Sequence, residues 1–215
     1  MKLIIFDVDG TLVDSQGFIV EAQRRAFFAH DIAPPAREKS LAIVGLSLRE
    51  AFAVLAGDQG PVESLAEAYR AAWTEIRADP AFIEPLFPGA HDALASLARR
   101  DKVILGIATG KARRGVAHLL DRCGWRDWFA TVQTADEHPS KPAPDMVLAA
   151  MAETGARPAS TYMIGDTSFD MAMARAAGAH PIGVSWGYHK SAELHAAGAE
   201  RIIADFAELL HLIEA

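Results

Sequence analysis

The chain has 215 residues, enough for one domain or for one domain that carries a smaller insertion. Hydrophobic residues make up 51% of it and charged residues 23%, a balance that supports a sizeable core and excludes an intrinsically disordered chain. The formal net charge of −7 argues against a nucleic-acid partner, because affinity for nucleic acid depends on Lys and Arg that neutralise phosphates. A small anionic substrate remains compatible with this charge, since a bound cation changes the local field at a site.

The expected compartment is the cytoplasm. Cys123 is the only cysteine, so no internal disulfide can form and nothing favours an oxidising environment. The sequence contains no apolar run of about 18 residues, and its first residues lack the pattern of a secretory signal. We therefore expect a protein without a membrane partner, present as a monomer or a small homo-oligomer.

Short apolar runs alternate with segments of helical spacing along most of the chain. The predicted strands are residues 3–8, 103–108, 131–134, 161–164, 181–184 and 201–204. The clearest predicted helices are residues 112–122, 143–153, 169–177 and 206–213. This alternation predicts an α/β fold, a doubly wound parallel sheet with helices on both faces. Ligands bind beyond the carboxyl ends of the strands in such sheets, so functional residues should follow these runs.

The stretch from residue 15 to residue 85 breaks this alternation, because it shows helical patterns and no convincing strand. Its clearest pattern places seven residues on one helical face: Val62, Leu65, Ala66, Tyr69, Ala72, Trp73 and Ile76. A helical block inserted directly after the first strand would lie above the exit of that strand. We therefore predict a catalytic core of residues 1–14 and 86–215 and an all-helical cap domain of residues 15–85.

The first predicted strand delivers two acids at its exit, Asp7 and Asp9, before a loop that opens with Gly10 and Thr11. Buried acids at a strand end are costly unless a cation or a reacting group receives them. A loop that begins with Gly10 can bend sharply and offer backbone N–H groups to an anion. Taken alone, the pair is equally well explained as turn-forming aspartates before a glycine.

A second strand repeats this arrangement. Asp166 follows the predicted strand 161–164 closely, and Asp170 comes four residues later. Asp166 by itself could simply cap the following helix. Two strand exits that each end in Asp favour a divalent-cation site, and oxygen ligands without a Cys/His cluster favour Mg²⁺ over Zn²⁺.

Two further loops carry groups that suit a phosphate. Thr109 and Gly110 follow the strand 103–108 directly, so a hydroxyl and a loop N–H lie where a helix should begin. Lys141 lies between Ser140 and Pro142 at the start of the helix 143–153, where a cation is unfavourable for the helix dipole. This placement indicates a role in offsetting carboxylate and phosphate charge, although a solvated surface lysine would also explain it.

Together these four motifs resemble, in order and spacing, those of the haloacid dehalogenase superfamily, and the resemblance covers essentially the whole chain. Residues 183–188 and 198–202 are similar to the phosphoglycolate phosphatase-like branch, whose Rossmann-like core carries a helical cap of the C1 type. The resemblance implies that Asp7 is the nucleophile, which forms an aspartyl-phosphate. It implies that Asp9 protonates the leaving alcohol and then activates water.

The resemblance also implies two ligand sets. The implied phosphate-binding residues are Gly10, Thr11, Thr109, Gly110 and Lys141. The implied Mg²⁺ ligands are Asp7, the backbone carbonyl of Asp9, Asp166 and, directly or through water, Asp170.

The expected function is therefore a Mg²⁺-dependent phosphatase that hydrolyses a small phosphorylated metabolite, with phosphoglycolate the first candidate. Arg49 lies where this branch places its specificity loop, and Lys111 follows the phosphate loop, so both are candidate substrate contacts. A solvated arginine explains Arg49 equally well. Two alternatives stay open: a sugar phosphomutase of the same superfamily, and a phosphometabolite-binding protein that lost turnover.

Overall fold

The computed structural model describes residues 1–57, 59–79, 82 and 84–214. Six parallel strands form one sheet: β1 (Lys2–Phe6), β2 (Val103–Thr109), β3 (Phe129–Thr134), β4 (Thr161–Gly165), β5 (His180–Val184) and β6 (Arg201–Ile203). Their spatial order is β3-β2-β1-β4-β5-β6. The order reverses beside β1, because the chain builds outward through β2 and β3 and later continues on the other side from β4. This arrangement confirms the predicted doubly wound α/β fold.

Helices connect the strands and cover both faces of the sheet. Those that follow β1 before the second strand are α1 (Gln16–Phe28), α2 (Arg37–Ala42), α3 (Leu48–Ala56), α4 (Val62–Ala78) and α5 (Ala90–Ala98). Those in the second half are α6 (Arg113–Cys123), α7 (Asp145–Thr154), α8 (Ser168–Ala176), α9 (Ser191–Ala196) and α10 (Phe206–Glu214). Within the described residues, no helix combines the length and the apolar character needed to cross a bilayer.

The central strand β1 anchors both faces of the core. Ile4 and Phe6 belong to the larger core cluster, whereas Leu3 and Ile5 face the other cluster, and all four side chains are fully buried. Such two-sided burial explains why the strand reads as a continuous apolar run rather than an alternating one. The rigid strand ends at Phe6, so the next residue, Asp7, has a fixed position.

Helices α1 to α4, residues 16–78, form the helical insert between the first and second strands. The insert has its own apolar clusters, one around Phe27 and Phe52 and another around Phe18 and Ile76. The stripe predicted on α4 faces these clusters, with Leu65, Ala66, Ala72 and Ile76 buried. The predicted cap domain ends at residue 85. Residues 80, 81 and 83, just before that boundary, lie outside the described residues.

The six predicted strands and four predicted helices agree with the structure to within two residues at nearly every end. Helices α5 and α9 had no counterpart among the predictions. The six-residue α9 is too short to show a clear apolar period, and only Leu194 in it is buried. Hydrophobic periodicity therefore predicts the longer helices correctly but gives no signal for a helix as short as α9.

Candidate active site

Asp7 and Asp166 meet at the point where the strand order reverses. Phe6 pairs with Ile164 across β1 and β4, and the Asp7 N–H donates to the Ile164 carbonyl at 2.9 Å. Asp166 follows the end of β4 directly, and Asp170 lies in the first turn of α8. Carboxylate oxygens from Asp7, Asp166 and Asp170 all lie within 4.8 Å of one another, and the three residues are buried. Two separate predictions from sequence thus converge on one site.

Lys141 supplies the positive charge in this acidic site. Its Nζ lies 2.8 Å from Asp7 Oδ2 and 2.7 Å from Asp170 Oδ1, and its side chain has no exposed surface. Burial lowers the pKa of Lys141, but the adjacent Asp170 and Asp7 outweigh burial, and the pKa is raised overall. The ammonium therefore stays charged, and one buried cation faces three buried carboxylates.

The two oxygens of Asp7 differ in their surroundings. Oδ1 accepts a hydrogen bond from the Val8 N–H at 2.7 Å. Oδ2 has the ionic contact with Lys141, but no group in the described part of the chain meets hydrogen-bond geometry with it. Burial raises the pKa of Asp7 to about 6; Asp170 acts in the same direction, whereas the nearby Lys141 and Thr109 oppose it. A buried carboxylate oxygen therefore keeps bonding capacity for an incoming group.

Asp166 is held by the loops on either side of it. Its Oδ1 accepts from the Thr11 hydroxyl and its Oδ2 from the Tyr188 N–H, both at 2.9 Å. Burial and the nearby charges of Asp170 and Asp7 raise the pKa of Asp166 well above its ordinary value. The described residues place no ammonium or guanidinium in ion-pair contact with it. This carboxylate is therefore the one that most needs a cation.

Gly10 and Thr11 form a tight turn after β1. The Gly10 N–H donates to the Val13 carbonyl at 2.9 Å and the Thr11 N–H to the Val8 carbonyl at 3.3 Å, so both N–H groups close the turn. The Thr11 hydroxyl orients Asp166. Gly10 has φ +84°, and a Cβ there would lie 2.2 Å from Asp166 Oδ2, so only glycine lets the loop approach this carboxylate.

Asp170 links Lys141 to the start of α8. Its Oδ1 bonds Lys141, and its Oδ2 accepts from the Thr167 N–H at 3.0 Å and the Thr167 hydroxyl at 2.7 Å. With Thr167 it forms a capping box, which fixes the helix and the carboxylate together. Both oxygens of Asp170 therefore already accept hydrogen bonds from protein donors.

The Asp9 side chain lies apart from the three clustered carboxylates. Its Oδ1 accepts a short hydrogen bond from the Ser15 hydroxyl and pairs with Lys111 Nζ at 2.8 Å. Lys111 also pairs with Glu84 Oε1 at 3.1 Å. Any part for Asp9 at a metal would therefore involve its backbone carbonyl, because the side chain is directed toward Lys111.

Thr109 and Gly110 lie where the sequence predicted them, at the end of β2 beside Asp7. The buried Thr109 hydroxyl accepts from the Lys111 N–H at 3.2 Å, and Thr109 lines the cavity together with Asp7. A Cβ at Gly110 would lie 2.6 Å from the Leu46 carbonyl and 2.7 Å from the Gly45 carbonyl. The glycine thus allows the loop before α3 to approach the core closely.

The two candidate substrate contacts, Arg49 and Lys111, have different surroundings. Arg49 pairs with Glu63 at 2.6 Å while both side chains are 70% or more exposed, so its guanidinium is held at the rim. Lys111 is nearly buried and also lies 4.7 Å from the centre of the Trp73 ring. Its ammonium is thereby committed to Asp9 and Glu84 rather than left free for a substrate.

A cavity of about 500 Å³ opens above these residues. The core contributes Asp7, Asp9 and Thr109 to its lining, and the helical insert contributes the opposite wall. The nucleophile and acid–base candidates, Asp7 and Asp9, therefore line one cavity, and the insert forms its opposite wall.

The donor set of the cluster fits a divalent cation. Asp7, Asp166 and Asp170 provide oxygen atoms only, and Lys141 balances one of three negative charges. The raised pKa values of Asp7 and Asp166 express this excess of buried negative charge. A dication bound by hard oxygen ligands would remove it.

Several residues of the site carried no readable signal in the sequence. Glu84 pairs with Lys111, the Tyr188 N–H holds Asp166, and Gln23 and Arg77 line the cavity. Tyr188 follows a strand exit, which is the one signal that placed it near the site. Glu84, Gln23 and Arg77 lie in helical or turn segments where charged and polar residues are ordinary.

Comparison with known proteins identifies the family. The sequence matches the haloacid dehalogenase-like hydrolase family over residues 4–184, and the chain belongs to that family. It is 37% identical to the probable phosphatase IndB of Dickeya dadantii, over 97% of this chain and 91% of that protein. It is 29% identical to a phosphoglycolate phosphatase of Pseudomonas putida, over 97% of this chain and 78% of that protein.

A solved structure supports the same assignment. CbbY from Rhodobacter sphaeroides, crystallised in complex with phosphate, superposes with a TM-score of 0.83 at 25% identity, and the match covers 100% of both chains. The predicted family, its Rossmann-like fold and the enzyme class, a phosphatase-type hydrolase, are confirmed.

Proposed function

We propose that this chain is a Mg²⁺-dependent phosphatase that hydrolyses a small phosphomonoester through an aspartyl-phosphate on Asp7. The observation that carries the proposal is the state of Asp7 Oδ2. This oxygen is buried beside Lys141 and has no hydrogen-bond partner in the described part of the chain, and Asp7 itself lines the cavity. A carboxylate oxygen held in this way is suited to attack phosphorus.

Asp9 would move the protons. In the first displacement Asp7 Oδ2 forms a bond to phosphorus, the ester P–O bond breaks, and Asp9 gives its proton to the leaving alcohol. In the second, Asp9 takes a proton from water, whose oxygen attacks phosphorus and frees Asp7 and phosphate. Both hydrogen bonds to Asp9 from described residues fall on Oδ1, which supports Oδ2 as the proton-carrying atom.

The remaining core residues would position and neutralise the phosphoryl group. Lys141 lies against Asp7 and would balance the charge that phosphorylation adds there. Thr109 and Gly110 line the cavity beside Asp7 and would hold phosphoryl oxygens. Mg²⁺, held by Asp7, Asp166 and the Asp9 carbonyl with Asp170 beside them, would offset the charge of the carboxylates and the phosphate.

The helical insert would act as the cap, with residues 15–85 as the cap domain and residues 1–14 and 86–215 as the core. Its loop before α3 reaches the core, where the Ser47 N–H donates to the Ser140 hydroxyl at 2.7 Å. Ser140 directly precedes Lys141, so this contact joins the cap to the loop that carries the catalytic ammonium. Closure there would limit water to the molecule that reacts.

The relatives support a phosphoryl substrate without naming it. Similar proteins are called phosphatases, one of them a phosphoglycolate phosphatase, and CbbY holds phosphate. Phosphoglycolate is therefore one compound to test among several.

The decisive experiment is phosphate release from a panel of phosphoglycolate, sugar phosphates and nucleotides, with Mg²⁺ or with EDTA. We expect Mg²⁺-dependent release by the wild-type protein and none by Asp7→Asn. Asp101→Asn is the matched control, because Asp101 lies in an exposed turn of the core, and it should retain full activity. Phosphate release by Asp7→Asn at a substantial rate would contradict the nucleophile assignment. An isomeric sugar phosphate formed without free phosphate would instead support the phosphomutase alternative.

A further inference from the structure

The cavity extends well beyond the space that the phosphoryl group would need. Along α1 its wall includes Ile19 and Gln23, one helical turn apart, and along α4 it includes Tyr69, Trp73 and Arg77, again at intervals of four. Residues at this spacing share one helix face, so two helices of the insert present continuous stripes to the same space. We call this part of the cavity, between α1 and α4, the distal pocket.

Two polar atoms of the distal pocket are buried and unbonded. Gln23 is 3% exposed, and its Oε1 has no hydrogen-bond partner among the described residues. Arg77 Nε is also buried, again without an acceptor in the described part of the chain. Unpaired buried polar groups weaken a fold, so native proteins contain few of them. Both residues line the distal pocket. A ligand bound there would supply the missing partners once the two side chains turn toward it, an N–H or O–H donor for Gln23 Oε1 and an oxygen or nitrogen acceptor for the Arg77 Nε–H.

Tyr69 and Trp73 make part of the distal pocket wall aromatic. Tyr69 and Trp73 lie with ring centres 5.7 Å apart, and Phe52 packs against Tyr69 at 5.6 Å. Lys111 Nζ occupies a position 4.7 Å from the Trp73 ring centre. Aromatic walls of this kind receive flat apolar groups, because stacking adds to the gain from burying apolar surface.

Cavity size agrees with a substrate larger than phosphoglycolate. The volume of about 500 Å³ falls within the range of roughly 300–1,000 Å³ that is typical of sites for drug-sized ligands. Phosphoglycolate, with only two carbons, would fill a small part of this volume and would leave the Gln23 and Arg77 atoms unpaired.

We propose that the substrate is a phosphomonoester that also carries a planar nitrogen heterocycle. The heterocycle binds against Tyr69 and Trp73. It donates a hydrogen bond to Gln23 Oε1 and accepts one from the Arg77 Nε–H. This inference rests on the proposed phosphatase function and specifies its substrate class. Nucleoside 5′-monophosphates and pyridoxal 5′-phosphate both present this chemistry, the first with a sugar between ring and phosphate and the second without one.

The test compares substrates that differ in the ring alone. Ribose 5-phosphate has the sugar and phosphate of a nucleotide without the base. Its kcat/KM therefore measures how well the enzyme uses the sugar phosphate alone. We expect at least tenfold higher kcat/KM for a nucleoside 5′-monophosphate or for pyridoxal 5′-phosphate than for ribose 5-phosphate or phosphoglycolate. Preference for the nucleotide would indicate that a sugar lies between ring and phosphate in the substrate, and preference for pyridoxal 5′-phosphate would indicate that none does.

Variants then assign the preference to the distal pocket. Gln23→Met keeps the shape of the side chain and removes its acceptor, and it should lower kcat/KM for the preferred ring compound about tenfold while changing that for ribose 5-phosphate less than twofold. Trp73→Leu should have the same selective effect and serves if Gln23→Met does not fold. Arg24→Gln on α1 and Glu67→Gln on α4 are matched controls on the exposed sides of the two helices.

Different results would overturn the two proposals. Faster turnover of phosphoglycolate or ribose 5-phosphate than of every ring compound would refute the substrate class while leaving the phosphatase intact. Equal losses on all substrates in both Gln23→Met and Trp73→Leu would refute ring recognition by the distal pocket. Absence of phosphate release from the whole panel would contradict the phosphatase function itself.

Discussion

Lys111 Nζ lies 2.8 Å from Asp9 Oδ1, so the proposed acid–base residue shares an ion pair with the loop that follows β2. The same ammonium lies 3.1 Å from Glu84, in the segment that returns from the helical insert to the sheet. All three side chains are at least 86% buried within the fold. One cation therefore ties together the first strand's exit, the second strand's exit and the base of the insert.

Replacement of Lys111 should destabilise the protein. Lys111→Met leaves Glu84 buried without its cation, and we expect the free energy of unfolding to fall by about 3 kcal/mol in urea titrations. The double variant Lys111→Met with Glu84→Gln should recover part of that loss, because the unpaired charge is gone. An unchanged unfolding midpoint in Lys111→Met would show that this ion pair contributes nothing to stability.

Asp9→Asn should slow turnover without loss of the fold. An amide cannot donate a proton to the leaving alcohol or accept one from water, so we expect kcat to fall by about 10²–10⁴. Steady-state phosphate release measures the loss, and circular dichroism checks the fold. A rate equal to that of the wild-type protein would remove Asp9 from the chemistry.

Binding of Mg²⁺ should stabilise the protein through Asp166. At 100 times the dissociation constant, a ligand that binds only the folded state adds about 2.7 kcal/mol, which raises the Tm of a domain of this size by roughly 5–10 °C. Asp166→Asn should lose this shift, because it removes the carboxylate that lacks an ion-pair partner among the described residues. Thermal scans with Mg²⁺ and with EDTA test this, with Asp101→Asn retaining the shift as the control.

Gly10→Ala should be far more damaging than an alanine at another glycine of similar backbone conformation. Gly10 has φ +84° and Gly124 has φ +68°, but a Cβ at Gly10 meets Asp166 Oδ2 at 2.2 Å whereas one at Gly124 meets nothing within 4 Å. We expect a loss of about 1 kcal/mol in Gly124→Ala from backbone strain alone and more than about 3 kcal/mol in Gly10→Ala. Similar losses in the two variants would show that the loop has room to move away from Asp166.

Glu21 should make the stability of α1 depend on pH in the acid range. Hydrogen bonds from Arg24, together with Arg25, lower the pKa of Glu21 from its ordinary value of 4.5 to about 2, against an opposing effect of burial. A lowered pKa stabilises the folded state above pH 4.5, and this stabilisation is lost as the pH falls toward 2. Glu21→Gln should therefore cost about 1 kcal/mol at pH 7 and almost nothing near pH 2, as measured by unfolding at several pH values.

The control for this pH effect is Glu67→Gln on the exposed face of α4. Its stability relative to the wild-type protein should stay within about 0.5 kcal/mol at every pH. A constant deficit of Glu21→Gln from pH 7 to pH 2 would mean that packing, rather than charge, explains the loss.

The sequence predicted the parts of the site that follow strand exits. Asp7, Thr109 and Asp166 each come after a continuous apolar run, and a parallel sheet must bring such positions to one edge. The local pattern therefore implied a tertiary meeting point. Their approximate placement needed no knowledge of side-chain direction.

Side-chain partners were not readable in this way. The Thr11 hydroxyl bonds Asp166, 155 positions along the chain, and Lys111 bonds Glu84 across 27 positions. Neither pairing leaves a trace in composition or periodicity, because any hydroxyl or carboxylate at those positions would look the same. Gln23 and Arg77 were missed for the same reason: only the packing of α1 on α4 places them in one wall.

The contact of Gly110 with the loop at Gly45 and Leu46 involves main-chain carbonyls rather than side chains. A side chain at position 110 would therefore push this loop of the insert away from the core, whatever side chains the loop itself carries. The side chains of Gln23, Tyr69 and Trp73, elsewhere in the cavity wall, take no part in this contact. Substitutions at those wall positions can therefore change which substrate fits, while the insert loop keeps its close approach to the core at Gly110.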